Sequence, residues 1–150
     1  MGMYTGVRCK VIIKEEYRGE IDKLINDKED WDELSCDFMK KYGEYSRADF
    51  IPYGSLSYMP DEWEDKNEEA TEGFNRQFNT KSGYLSFQCS LKNYDSTIEE
   101  FFEKVLGKIT ETIIHLEKFY EECDYSQSYK LENNQIVLDS VEFIRYYKEY

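Results

Sequence analysis

The residues that could carry chemistry in this 150-residue chain are few and far apart. There is one histidine, His115. A Ser–His or Cys–His pair would have to recruit it, because a weak nucleophile needs a base within hydrogen-bond reach. No G-x-S-x-G elbow accompanies it. If residues 96–123 form a helix, His115 lies on the wet face between Glu111 and Lys118, away from the apolar stripe. The cysteines, Cys9, Cys36, Cys89 and Cys123, form no CxxC pair. Cys9 and Cys89 fall at apolar positions of alternating segments, where a thiol is a small buried hydrophobe. A zinc site would need three of them and His115 gathered from separate elements. Phosphate-cradling G-x-x-x-x-G-K-[ST] and G-x-G-x-x-G loops are absent, as are H-E-x-x-H and an EF-hand loop. Adjacent carboxylates recur, as in Glu15-Glu16, Glu99-Glu100 and Glu121-Glu122, but among 32 acidic residues such pairs arise by chance. The expectation is a non-enzymatic chain with no metal and no cofactor.

Charge says more. The chain carries 19 Lys and Arg against 32 Asp and Glu, a net charge of −13. A surface of that sign repels nucleic-acid phosphates and anionic lipids, so neither a direct nucleic-acid partner nor a membrane is expected. Residues 61–72 are the most acidic stretch. Asp61, Glu62, Glu64, Asp65, Glu68, Glu69 and Glu72 leave it at −6 after Lys66 is counted. As a helix it would span about 17 Å, over which duplex DNA carries roughly ten charges. Trp63 inside such a run reads as an anchor, to the domain or to a partner. Residues 15–37 add ten acids against Arg18, Lys23 and Lys28.

Tyrosine is the second compositional outlier, with 14 residues. It is a rigid, amphipathic contact residue with little entropy to lose. Tyr45, Tyr53 and Tyr58 flank a segment around Pro52, and Tyr146, Tyr147 and Tyr150 crowd the C-terminus. The candidate partner-binding residues are therefore Asp61, Glu62, Trp63, Glu64, Asp65, Glu68, Glu69 and Glu72, with Tyr53 and Tyr58.

In size and composition the chain is similar to the small acidic inhibitors carried by phages and mobile elements, anti-restriction DNA mimics and anti-CRISPR proteins among them. That likeness implies an inhibitor whose carboxylates stand in for phosphates on a basic, nucleic-acid-binding protein. No motif carries it, so it assigns no residue. Three alternatives stay open: an immunity-type protein or subunit of a complex, a small-ligand-binding domain with a cleft near Pro52–Tyr58 and the Tyr84–Leu91 strand, and an uncharacterised enzyme.

The elements that must position these residues follow from periodicity. Residues 4–13 alternate, with Thr5, Val7, Cys9, Val11 and Ile13 on one side, as in a half-buried strand. Residues 16–26 are helical in pattern. A second helix starts at Asp30, with Glu33 completing a capping box, and carries Trp31, Leu34, Phe38 and Tyr42 to a left-handed Gly43. Residues 48–59 read as an edge strand bulged at Pro52. Residues 74–80 and 84–91 read as a hairpin across Lys81-Ser82-Gly83. Residues 96–123 read as one long helix capped by Ser96 and Glu99, with Gly107 and Ile114 together off its main stripe. Residues 125–132 and 135–139 read as a hairpin across Asn133-Asn134. Val141–Tyr150 fits helix or strand.

The length suits one domain, residues 1–150. The predicted fold is α+β, an antiparallel sheet of five or six strands with a long helix and two shorter ones on one face, close to a ferredoxin-like core with additions. The start shows no basic leader followed by an apolar run, and the apolar runs are short, so a cytoplasmic protein with reduced thiols is expected.

Overall fold

Alternation makes residues 4–13 a strand. The computed structural model, which describes residues 4–54, 73–123 and 125–143, places that strand in the interior of the sheet. This strand, β1 (Tyr4–Ile13), leaves Val7, Cys9, Val11 and Ile13 no solvent exposure. It is hydrogen-bonded antiparallel to β3 (Tyr84–Lys92) on one side and to β4 (Thr110–Tyr120) on the other. Beyond β3 lies the two-residue β2 (Gln77–Phe78), and beyond β4 lie β5 (Tyr125–Glu132) and β6 (Gln135–Phe143). The order is β2-β3-β1-β4-β5-β6, with every neighbouring pair antiparallel.

The class is α+β, as the sequence predicts. The first four strands have the order and directions of a split βαβ core, and β5 and β6 extend it. The match in the helices is only rough. The first crossover is broken into α1 (Arg18–Ile25), a 3-10 turn (Trp31–Glu33), α2 (Asp37–Tyr42) and the irregular turn α3 (Phe50–Tyr53). The second crossover is α4, residues 97–109, whose middle, Phe101–Leu106, is π-helical.

The helical layer meets one face of the sheet. Trp31 is its central anchor. The ring packs edge-on against Tyr42 at 5.3 Å and Phe101 at 5.8 Å, and its N–H donates to the Ile51 carbonyl at 2.7 Å. The Tyr42 hydroxyl donates to the Thr97 carbonyl at 2.9 Å. Two polar atoms in a dry core are thus satisfied by the backbone of α3 and α4, which fixes where those elements dock.

Several expectations are corrected. The long helix over 96–123 ends at Ile109, and Thr110–Tyr120 is β4. Ser96 does not cap α4, because it adopts a left-handed backbone with φ 57°. Asn93 does that work, accepting from the Ile98 N–H and donating to Glu99, both at 2.7 Å. Gly107 and Ile114 are not neighbours on one helix: Ile114 is exposed in β4, where the pairing with β1 shifts register. Residues 48–54 form turns rather than an edge strand, with a cis Ile51–Pro52 peptide, and residues 55–59 lie outside the described residues. The Asp30–Glu33 capping box forms, yet it opens only the 3-10 turn, and the chain is extended at Leu34 before α2 begins. Gly43 is right-handed, at φ −60°. Glycine serves close approach there, since a Cβ would lie 2.9 Å from the Asp32 nitrogen and 3.0 Å from the Trp31 Cβ.

The C-terminal hairpin forms across Asn133-Asn134 as expected, with its second arm running past Asp139 to Phe143. Asn133 and Asn134 take φ of 53° and 62°, the pair of left-handed residues that a tight two-residue turn needs. Its tip rests on α4 at Gly107, where a Cβ would sit 3.0 Å from the Asn134 carbonyl oxygen. Gly107→Val is expected to cost about 1–3 kcal/mol by forcing that contact apart. Gly19→Ala within α1, where a Cβ meets nothing within 4 Å, should stabilise by about 0.5–1 kcal/mol. Urea unfolding of the two variants beside the parent chain checks both signs.

Candidate functional site

The face of the sheet away from the helices is polar and still buried. Ser86, Gln88 and Ser90 alternate outward from β3 as the sequence predicts, but each is 2% exposed or less. Phe74 covers part of this face. Its ring lies 5.1 Å from that of His115, with the Lys10 ammonium 4.3 Å and the Arg8 guanidinium 5.3 Å from its centroid. Beneath it sits Glu117 of β4, whose Oε1 lies 2.8 Å from His115 Nε2 and 3.8 Å from the Arg8 guanidinium. Arg8 Nε in turn donates to Gln88 Oε1 at 3.2 Å. Burial alone would raise the Glu117 carboxyl. Hydrogen bonds from His115 and Ser126 and the charge of Arg8 outweigh it and hold the group below the usual carboxylate range.

His115 is therefore a strand residue bound to a carboxylate and packed on a ring, not a solvated helix histidine. Sequence reasoning misses this cluster because the spacing of Ile109, Ile113 and Leu116 fits a helix. The usable signal was the β-branched run Thr110, Thr112, Ile113 and Ile114, which favours strand.

A second charged cluster lies on the helical side. Lys118 of β4 pairs with Glu99 of α4, and Asn93 donates to the same carboxylate. Burial of Glu99 opposes ionisation. The hydrogen bonds from Lys118 and Asn93 and the Lys118 charge prevail, so this carboxyl too is held below its ordinary range.

The remaining carboxylates are distributed unevenly. β1, β2 and β3 contain none, whereas the first crossover is crowded with them. Glu15, Glu16, Asp27, Asp32 and Asp37 are exposed and form no ion pair among the described residues. Asp49 titrates above its ordinary value, first through partial burial and then through the neighbouring charges of Asp30 and Asp32. The charges of Asp30 and Asp32 thus bear on Asp49, and none of the three is in an ion pair among the described residues.

Of the candidate partner-binding residues, Asp61, Glu62, Trp63, Glu64, Asp65, Glu68, Glu69, Glu72 and Tyr58 lie outside the described residues. Tyr53 is half-buried. Its hydroxyl donates to the Leu24 carbonyl at 2.8 Å, and the Arg76 guanidinium stacks 4.2 Å from its ring centroid. It ties α3 to the end of α1. Tyr42, Tyr45 and Tyr129 likewise pack or hydrogen-bond within the fold.

Cys9 and Cys89 are fully buried, as predicted, and burial pushes the Cys89 thiol up to about 12. No group of three or more His, Cys, Asp or Glu able to hold a metal ion occurs among the described residues, and no helix there is long and apolar enough to cross a membrane. Comparison with protein-family models, with curated proteins and with solved structures finds no match.

The two depressed carboxyls give the protein an acid-sensitive stability. A carboxyl held below its unfolded value stabilises the fold above the ordinary range, about pH 4.3 for Glu. That contribution disappears as pH falls through the folded value. Glu117→Gln should lose about 3 kcal/mol near neutrality by leaving Arg8 buried beside a neutral amide, and its deficit should shrink below about pH 4. Urea midpoints of parent and variant across that range measure it.

Proposed function

We propose that this chain is a non-enzymatic binding protein that docks its carboxylates on a basic surface of a partner protein and inhibits it. The partner's nucleic-acid-binding site is the natural target. The observation that carries this reading is the set of exposed carboxylates on the first crossover, which form no ion pair among the described residues, with Asp30 and Asp32 near enough to raise Asp49. Like charges held together destabilise the free protein, and a cationic partner would relieve that repulsion. Residues 61–72, at −6, would extend the same field. Carboxylates at this density can stand in for the phosphates of a duplex, which is how an anti-restriction DNA mimic or an anti-CRISPR inhibitor of this kind would act.

The test is affinity capture with the purified chain at low and high salt, with duplex DNA as competitor. A basic protein should be retained at low salt, and both high salt and DNA should release it, because exposed charges are screened beyond roughly 8 Å at physiological ionic strength. A variant carrying Asp61→Lys, Glu62→Lys, Glu64→Lys, Asp65→Lys, Glu68→Lys and Glu69→Lys should fold and lose the partner. A second variant, with Glu15→Lys, Glu16→Lys, Asp32→Lys and Asp37→Lys, should weaken it at least tenfold. Retention by both variants at the parent's level would refute the reading.

A further inference from the structure

We propose that the groove between α2 and α4 binds a small phosphate ester bearing a planar ring, such as a nucleoside monophosphate. A cavity of about 360 Å³ opens there, lined by Phe38, Lys41, Tyr42, Tyr45, Lys104 and Lys108. That lies within the size range of small-molecule pockets, roughly 300–1,000 Å³.

Its charge is opposite to that of the chain. Half of the lining residues are lysines in a protein of net charge −13, and all of them are exposed. Among the described residues none of the three has a carboxylate within 4.0 Å, although Lys118 and Lys130 elsewhere do. Lys104 and Lys108 are four apart on α4, the spacing that puts two side chains on one helix face. Lys41 comes from the last turn of α2. The Glu100 and Glu103 carboxylates act on Tyr45 in the same wall, yet none of the three lysines is ion-paired among the described residues, and a bound anion would give them a direct partner. A phosphate ester matches them well, with nearly two negative charges and three acceptor oxygens, and lysine is a common point-charge ligand for it.

The walls supply the second half of the site. Tyr45 stacks on the buried Tyr42, with centroids 5.5 Å apart and planes at 27°. Each hydroxyl is anchored, that of Tyr42 on the Thr97 carbonyl and that of Tyr45 on Glu100 Oε1 at 2.7 Å. Phe38 is held edge-on by Tyr17 at 5.6 Å, and the Lys108 ammonium sits 4.9 Å from its centroid. These rings are fixed before any ligand arrives, so little ordering entropy opposes stacking.

Isothermal titration calorimetry on the full chain tests this with adenosine monophosphate, adenosine and inorganic phosphate. Adenosine monophosphate should bind, and the other two should each bind at least about tenfold more weakly. The Lys41→Gln/Lys104→Gln/Lys108→Gln variant, with its fold checked by circular dichroism, should lose at least about a hundredfold, near tenfold per charge-assisted contact. Phe38→Leu keeps the charges and should weaken adenosine monophosphate while leaving inorganic phosphate unchanged. No heat from adenosine monophosphate at millimolar concentration, equal binding of adenosine, or an unaffected triple variant would overturn the proposal.

Discussion

A carboxylate buried inside a sheet must be held by hydrogen bonds and an opposite charge, or the chain will not bury it. Glu117 meets that constraint, and its partners span the sheet. Arg8 comes from β1, His115 from β4 itself and Ser126 from β5, while Arg8 also reaches Gln88 of β3. A slip of one residue in any of these pairings would turn a polar side chain into the apolar layer and strand Glu117 without partners. The network acts as a register pin for four strands. The apolar layer on the opposite face, built on Val7, Cys9, Phe87 and Leu116, supplies the burial but would tolerate more than one arrangement.

The helical layer is specified in a similar way. Apolar area drives it onto the sheet, and the hydrogen bonds of Trp31 and Tyr42 choose the docking positions of α3 and α4. The C-terminal hairpin is then seated by a fit of shapes, its turn resting where Gly107 leaves room.

Much of this was legible in the residues. Strand β1 and the hairpin across Asn133-Asn134 are local features, one written in strict alternation and the other in two residues that tolerate positive φ. The second crossover was not, because Ile109, Ile113 and Leu116 satisfy a helical spacing and part of a strand spacing alike. Pairing with β1 decides between them, and that contact is remote in sequence. The same blindness hid the Glu117 cluster, which joins residues more than a hundred positions apart. For the carboxylates, their density in residues 15–37 is plain in the residues themselves, whereas the absence of ion pairs to them among the described residues is a property of the fold. The lysine groove was invisible for a related reason, since Lys41 and Lys104 meet only once α2 and α4 are side by side.

The placement of the thiols has a practical consequence. Cys36 and Cys123 are partly accessible, whereas Cys9 and Cys89 sit on adjacent strands in the sealed layer of the sheet. An alkylating reagent should therefore label two sites promptly and the other two only when the helical layer lifts from that face of the sheet. The slower pair forms a built-in clock for opening of the core, readable by intact mass in the native protein without any introduced probe.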